Sequence, residues 1–323
     1  MTMKNILAIA FACAFTVSGA SAAAPYPERP VRVVLGFAPG GGADLLARPI
    51  GQWMSETLGQ QFVIDNRPGA NGIISLDIVA RSPTDGYTLA LTSVGPLSIN
   101  PGLYEKLSYD PVKDFEPAIL LASGQYVLLV HRSVAAKTVG DVLRLAKAKP
   151  GALTFGSSGI GSPPHLAGEL LKLLGDIDMI HVPYKGTGPA LMDLLAGQYT
   201  MMFTSIPAAI PHVKSAKVDA IAVSGSKRSR ALPYLPTVAE AGLSGFEADG
   251  WYGVLAPANT PRARIALLNA TFNKALDAPE IRARMTVLGL EPVGGTPAAF
   301  AGHIRQELAK WPKVIRHAGI KVE

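Results

Sequence analysis

The sequence predicts an α/β protein with two domains and a ligand cleft between them. Short apolar runs typical of strands alternate with amphipathic segments typical of helices, which is the order that builds parallel sheets. Without its N-terminal export segment the chain keeps roughly 300 residues, enough for two ordinary cores. The apolar segments 119–130 and 251–257 are the predicted crossings between the domains. Ligands bind beyond the carboxyl ends of such strands, so the interdomain cleft is the predicted site.

Residues 1–24 form a predicted secretory signal peptide. Lys4 is the only charged side chain of this segment, and it precedes an apolar run over residues 6–17. Small residues then allow cleavage after Ala22 or Ala24. Because the apolar run is too short to anchor the chain in a bilayer, the mature protein is expected to be exported.

Composition excludes several classes of partner. The formal net charge is +6 at pH 7, but the basic residues are scattered, and their densest patch, 227–230, has no interleaved aromatics, so nucleic acid is not an expected partner. The single cysteine, Cys13, lies in the predicted signal peptide, so no disulfide is expected. None of the six histidines forms a His-x-x-x-His pair, and we predict neither a metal nor a cofactor.

The first predicted binding corner is a glycine-rich turn between the strand 31–35 and a helix that contains Leu45. Glycines let backbone N–H groups approach a ligand, and the helix brings the positive end of its dipole, so the corner favours an anion. Its spacing matches neither a P-loop nor a dinucleotide fingerprint, and a tight connection without a ligand is the alternative. Asp44 favours a helix cap, because its charge would repel a carboxylate. The candidate ligand residues here are Phe37, Ala38, Pro39, Gly40, Gly41 and Asp44.

A strand over residues 87–91 ends beside the same cleft. Thr92 and Ser93 follow it, and their hydroxyls are candidates for hydrogen bonds to a ligand. Capping or turn roles are the alternative for these residue types.

Two further glycine turns are predicted in the second domain. One joins the strand 153–155 to a helix that starts with a serine cap and a proline pair, and the other follows the strand 179–182. His165 either props the first of these turns or contacts the ligand, and Lys185 is either solvated or attracts a carboxylate. The candidate ligand residues are Gly156, Ser157, Ser158, Gly159, Gly161, Ser162, His165, Tyr184, Lys185 and Gly186.

The remaining segments complete the two domains. Residues 199–203 and 220–223 are predicted strands, and most of the chain after residue 260 is helical. Trp251 and Tyr252, beside the second crossing, either line the cleft or fill a core, and we assign them to a core.

Several of these stretches resemble the substrate-binding proteins of the tripartite tricarboxylate transporter family, known as the Bug proteins. The likeness extends over the whole chain and includes the turn 37–44, the sequence NRPGANG at 66–72, HVPYKG at 181–186, LPTVAEAG at 235–242 and EPVGGTP at 291–297.

This resemblance implies a two-lobed periplasmic-binding-protein fold, type II-like and also called a Venus flytrap. The first lobe would be discontinuous, 25–124 plus 251–323, and the second would be 125–250. The protein would be a monomer that captures a small carboxylate or related organic solute for a membrane permease.

Two departures from the family pattern concern the binding site. Thr92 and Ser93 replace a more usual Gly-Ser pair. Thr204 stands where family members commonly carry Asp after the strand 199–203, and a neutral hydroxyl there would favour a dicarboxylate, or a monocarboxylate with a neutral far end, over an amino acid. The alternative is that residue 204 points into the second lobe, away from any ligand.

Binding without catalysis is the leading hypothesis. A secreted hydrolase is the rival, but Phe155 and Ile160 occupy positions that a nucleophile elbow around Ser157 or Ser158 reserves for glycine. A periplasmic sensor that presents its closed form to a receptor is a third hypothesis that uses the same cleft.

Overall fold

The computed structural model describes residues 26–214 and 216–321, so the predicted signal peptide lies outside the described residues. The described chain is an α/β protein with two mixed sheets, one in each of two lobes. In chain order, the strands are β1 (Val31–Leu35), β2 (Phe62–Asn66), β3 (Thr88–Ser93), β4 (Phe115–Gly124), β5 (Tyr126–His131), β6 (Thr154–Ser157), β7 (Ile180–Pro183), β8 (Met201–Ser205), β9 (Val218–Val223), β10 (Gly250–Pro257) and β11 (Leu290–Pro292).

The helices cover both sheets, and a 3₁₀ turn (Ala70–Gly72) and a π-helical turn (Gly95–Ile99) lie between them. In chain order, the helices are α1 (Gly42–Leu58), α2 (Ile73–Ala80), α3 (Asn100–Leu103), α4 (Val139–Ala148), α5 (Pro163–Gly175), α6 (Thr187–Leu195), α7 (Ile206–Lys214), α8 (Arg262–Asp277), α9 (Pro279–Val287) and α10 (Pro297–His317). Within the described ranges, no helix combines the length and the apolar character that a membrane span requires.

Strand pairing is parallel in only part of each sheet. The first sheet has the order β11-β4-β10-β3-β1-β2 and the second β7-β6-β8-β5-β9. β1 pairs in parallel with β2 and β3, and β6 with β7 and β8, as predicted. The expectation of fully parallel sheets is wrong, because β10 pairs antiparallel with β3 and β4, β11 with β4, and β5 with β8 and β9. Parallel pairing needs a crossover connection, and strands that pass directly from one lobe to the other have none.

The two passages between the sheets lie side by side. Gln125 alone separates β4 in the first sheet from β5 in the second, and Gly250, where the chain returns, pairs with Gly124. On the second-lobe side, Ser224 makes two hydrogen bonds to Tyr126. Its Oγ accepts from the N–H of Tyr126 at 2.9 Å, and its N–H donates to the Tyr126 carbonyl at 2.8 Å.

Helix α1 begins at Gly42, directly after the first glycine turn, and continues through Pro49. A proline inside a helix leaves the carbonyl four residues earlier without its usual donor. Here that carbonyl belongs to Leu45, and Arg284 Nε donates to it at 3.4 Å. The side chain thus replaces the missing backbone bond.

An apolar core joins the lobes behind the cleft. Phe300 and Trp311 of α10 belong to the same buried cluster as Phe155 and Leu166 of the second lobe, and α10 packs against α5. Burial of this shared apolar surface holds the lobes together at one side, so the cleft opens at the other.

Candidate functional site

A cleft of about 460 Å³ lies between the two lobes, at the strand ends. Its walls come from both sheets and from the two passages that connect them. The residues that line it include Phe37, Gly42, Asn71, Ser93, Gly95, Pro96, Gln125, Tyr126, Pro163, Thr187, Ser205, Trp251, Tyr252, Leu288 and Leu290.

Two helix N-termini present free backbone donors to this cleft. Gly42 is the first residue of α1 and Thr187 the first residue of α6, and the residues before them, Gly41 and Gly186, provide no side-chain cap. No acceptor in the described chain takes the first-turn N–H groups of either helix. Uncapped N–H groups and the positive end of the helix dipole together favour an anion.

The N-terminus of α5 borders the cleft as well, but it has no free donor. Pro163 and Pro164 lack N–H groups, and the N–H of His165 donates to Ser162 Oγ at 3.4 Å. The glycine turn before it, residues 156–161, uses two of its N–H donors within the protein. The N–H of Gly159 donates to Ser157 Oγ at 3.1 Å, and that of Gly161 to His165 Nδ1 at 3.0 Å.

The predicted ligand role of this turn is therefore corrected for most of its residues. Gly156 and Ser157 belong to β6 and are buried, and the Ser162 hydroxyl donates to the Gly159 carbonyl at 2.7 Å. Ser158 keeps an unpaired N–H, and its carbonyl accepts from the N–H of Gly186 at 3.1 Å. The turn thus supports the start of α6, and its Ser158 amide has no acceptor among the described residues.

Of the two roles considered for His165, support of the glycine turn and contact with the ligand, the structure favours support of the turn. It is buried, and its ring stacks on that of His181 with 3.7 Å between the centroids. His181 Nε2 lies 2.7 Å from Ser157 Oγ, and burial, followed by the nearby His165, lowers the pKa of His181 to about 3. Burial raises the pKa of Glu169, but His165 and Lys172 outweigh that effect and leave it below its usual value. The stacked rings of His165 and His181, beside Glu169, fix the turn.

Asp44 also acts within the protein. Its carboxylate accepts from the N–H of Gly40 at 2.9 Å, from Arg48 Nε at 2.9 Å and from Asn66 Nδ2 at 3.0 Å. The hydrogen bond from Arg48 is the main reason that the pKa of Asp44 is lowered. The buried carboxylate braces the turn that contains Ala38, Pro39 and Gly40, which is exposed, and does not line the cleft.

At two strand ends one of two adjacent hydroxyl residues lines the cleft: Ser93, which was predicted, and Ser205, which was not. Thr92 and Thr204 are buried, 2% and 1% exposed, whereas Ser93 and Ser205 line the cleft. Successive strand residues point to opposite faces, which explains the alternation. A ligand in the cleft does not reach Thr204, so the proposed selectivity at that position has no support from the geometry.

The three residues of the last predicted corner, 184–186, have different surroundings. The Tyr184 hydroxyl donates to Asp193 Oδ2 at 2.9 Å, and burial together with Asp193 raises the pKa of Tyr184 to about 12. Lys185 is exposed to solvent, and Gly186 serves as the cap residue of α6.

Several residues of the site were not predicted. Trp251 is buried and donates from Nε1 to Glu307 at 3.2 Å, as expected for a core residue, but Tyr252 is half-buried and lines the cleft. Gln125 and Tyr126 belong to no motif and lie within a predicted crossing, and no pattern in the sequence connects Leu290 with the cleft. In the described part of the chain, no group of three or more His, Cys, Asp or Glu side chains is arranged to hold a metal.

Comparisons with known proteins agree with this architecture. The sequence profile of the tripartite tricarboxylate transporter family receptors, TctC, matches residues 46–320. A curated relative from Pseudomonas sp., described as a UPF0065 protein in the tcbD-tcbE intergenic region, is 39% identical over 97% of this chain and 93% of its own length.

Two solved structures cover similar lengths. R. palustris Rpa4515 with adipate has a TM-score of 0.76 and 38% identity over 92% of this chain and 100% of its own. MatC (Rpa3494) from Rhodopseudomonas palustris with bound malate has a TM-score of 0.72 and 36% identity over 90% of this chain and 100% of its own. Given the extent of these matches and the two-lobed fold, the chain belongs to the TctC family of periplasmic solute-binding receptors of tripartite tricarboxylate transporters.

Proposed function

We propose that this protein binds a small organic carboxylate in the interlobe cleft and delivers it to a membrane permease of the tripartite tricarboxylate type. The observation that carries the proposal is the pair of uncapped helix N-termini at the cleft, α1 at Gly42 in one lobe and α6 at Thr187 in the other. A ligand that accepts hydrogen bonds from both would hold the lobes together.

The chemistry of the cleft supports an anionic ligand. First-turn N–H groups and helix dipoles stabilise a carboxylate without a lysine or arginine partner. Two similar proteins, solved with adipate and with malate, each carry a carboxylic acid.

The chain would function as two rigid bodies that close on the ligand. The first body is 25–124 plus 251–323 and the second is 125–250, with Gln125 and the strand pair Gly124 and Gly250 at the pivot. The mature protein would be a periplasmic monomer, released from its signal peptide 1–24. Catalysis has no support from the site, because Ser157, which contacts His181, is buried and donates within its own turn.

The replacement Gly41→Val tests the anion corner. Gly41 has φ −75° and ψ 169°, which valine adopts without strain, and the nearest atom to an added Cβ is the Ala38 carbonyl oxygen at 3.4 Å. The folded protein should therefore tolerate the change, while the new methyl groups block the approach to the α1 amides. We expect calorimetry with adipate, malate and related acids to show affinity reduced about tenfold or more.

Gly302→Val in α10 is the matched control, since it adds the same side chain outside the cleft. It should bind as the parent does. Equal affinity of the Gly41 variant and the parent, or a parent that binds no carboxylate of the panel, would contradict the proposal.

A further inference from the structure

Every polar side chain that lines the cleft is uncharged. Among the described residues, the lining contains hydroxyl and carboxamide groups but no Lys, Arg, His, Asp or Glu. A ligand ammonium group would find no carboxylate partner on these walls, and burial of an unpaired charge is costly. The walls therefore match ligand groups that accept hydrogen bonds.

The two carboxamides of the lining are held by contacts within the protein. Asn71 Nδ2 donates to Asn100 Oδ1 at 2.6 Å, and Gln125 Nε2 donates to the Lys227 carbonyl at 2.9 Å. The Lys227 carbonyl can only accept, so this contact fixes which end of the Gln125 amide is the NH₂ group. The other end, Oε1, is an acceptor and cannot donate to a ligand. Each of these NH₂ groups keeps a second N–H, and the hydroxyl groups of the lining add further side-chain donors.

Two of these hydroxyls are phenols, one on each passage between the lobes. Tyr126 begins β5 and Tyr252 lies in β10, and neither hydroxyl has a partner among the described residues. A Cβ added to Gly42 would lie 3.3 Å from the Tyr252 hydroxyl, which places this phenol beside the first residue of α1. A Cβ added to Gly250 would lie 2.8 Å from the Tyr126 hydroxyl.

Both phenols stay protonated at neutral pH. Burial raises the pKa of Tyr126, with smaller contributions from Tyr252 and Asp249, and burial also raises the pKa of Tyr252. Each hydroxyl is thus a permanent donor, and an unpaired donor in a half-buried site favours a ligand oxygen.

We propose that Tyr126 and Tyr252 donate to ligand oxygens and determine specificity, so that the cleft selects acids with a second oxygen-bearing group over acids that end in an ammonium or a bare alkyl chain. This inference rests on the proposed function. One phenol comes from each lobe, so a ligand can accept hydrogen bonds from both when the lobes close on it.

Six-carbon acids of matched length test the inference. Adipate ends in a second carboxylate, hexanoate in a methyl group and aminohexanoate in an ammonium. We expect wild-type protein, titrated by calorimetry at pH 7.5, to bind adipate about tenfold or more tightly than either of the others. Tyr126→Phe and Tyr252→Phe should each lose about tenfold in adipate affinity and leave the weaker hexanoate affinity nearly unchanged.

Tyr234→Phe is the matched control, because Tyr234 is 64% exposed and outside the cleft, and it should behave as wild type. Thermal melts of each variant separate folding defects from lost contacts. Wild-type binding of adipate with unchanged affinity in both phenol variants would overturn this inference and leave the proposed function intact. Tightest binding of aminohexanoate would also overturn it. Failure of the wild type to bind any carboxylate would overturn both.

Discussion

Asp249 is a half-buried acid at the passage back into the first lobe. Its Oδ1 accepts from Ser224 Oγ at 2.7 Å, and burial raises its pKa to about 7, while the hydrogen bond from Ser224 opposes the rise. Because the folded state binds this proton more tightly than the unfolded state, the contribution of Asp249 to stability is complete below pH 3.8 and is lost as the pH rises through about 7. Ionised Asp249 therefore weakens the fold in neutral solution.

Replacement of this acid by its amide should remove the pH dependence. Asp249→Asn keeps an acceptor for Ser224 but does not ionise, so we expect the variant to be more stable than the parent at pH 8 by about 1 to 2 kcal/mol and to lose that advantage near pH 4. Urea unfolding at both pH values measures this. Asp178→Asn, at an exposed carboxyl, is the control. Equal pH dependence in parent and Asp249 variant would show that the acid is not destabilising.

At the scale of elements, α6 is the helix of the second lobe whose uncapped first turn borders the cleft. Gly188 lies in this turn, and a Cβ there would have no atom within 4 Å. Gly188→Asp should strengthen the helix by about 0.3 to 1 kcal/mol, because a negative charge near the N-terminus favours the dipole. The same charge should repel a bound carboxylate and reduce its affinity about tenfold or more.

Ala298→Asp places an equivalent charge in the first turn of α10, away from the cleft, and should leave binding unchanged. Calorimetry with adipate compares the two variants. If they bind equally well, α6 does not hold the ligand.

The contrast between α5 and α6 shows how far the sequence predicts the site. Glycine turns, strand ends and helix starts were recognisable, and the proline pair at 163–164 correctly indicated where α5 begins. The same pair lacks two backbone N–H donors, which follows from the residue type alone. By contrast, no local pattern indicates whether Thr204 or Ser205 faces the cleft, because that depends on how β8 sits between β5 and β6. The convergence of Tyr126 with Tyr252 depends on pairing between distant strands, which sequence spacing does not encode.

At the scale of the whole molecule, two lobes joined by adjacent passages and by the apolar contact of α10 with α5 form a hinge that opens on one side. We expect ligand to close it, so small-angle scattering should show a smaller radius of gyration with saturating adipate than without solute. Hexanoate at the same concentration is the control. An unchanged radius at full occupancy would exclude closure by ligand.

The uncharged walls of the cleft also affect how ligand leaves. A receptor that held its anion by a lysine or arginine would have to break an ion pair at the membrane, and dissolved salt would compete for that contact. Here dipoles and hydroxyls replace the cation, so retention should vary little between dilute and concentrated surroundings. Separation of the lobes alone should then weaken binding, and release of the ligand should need no exchange of counterions.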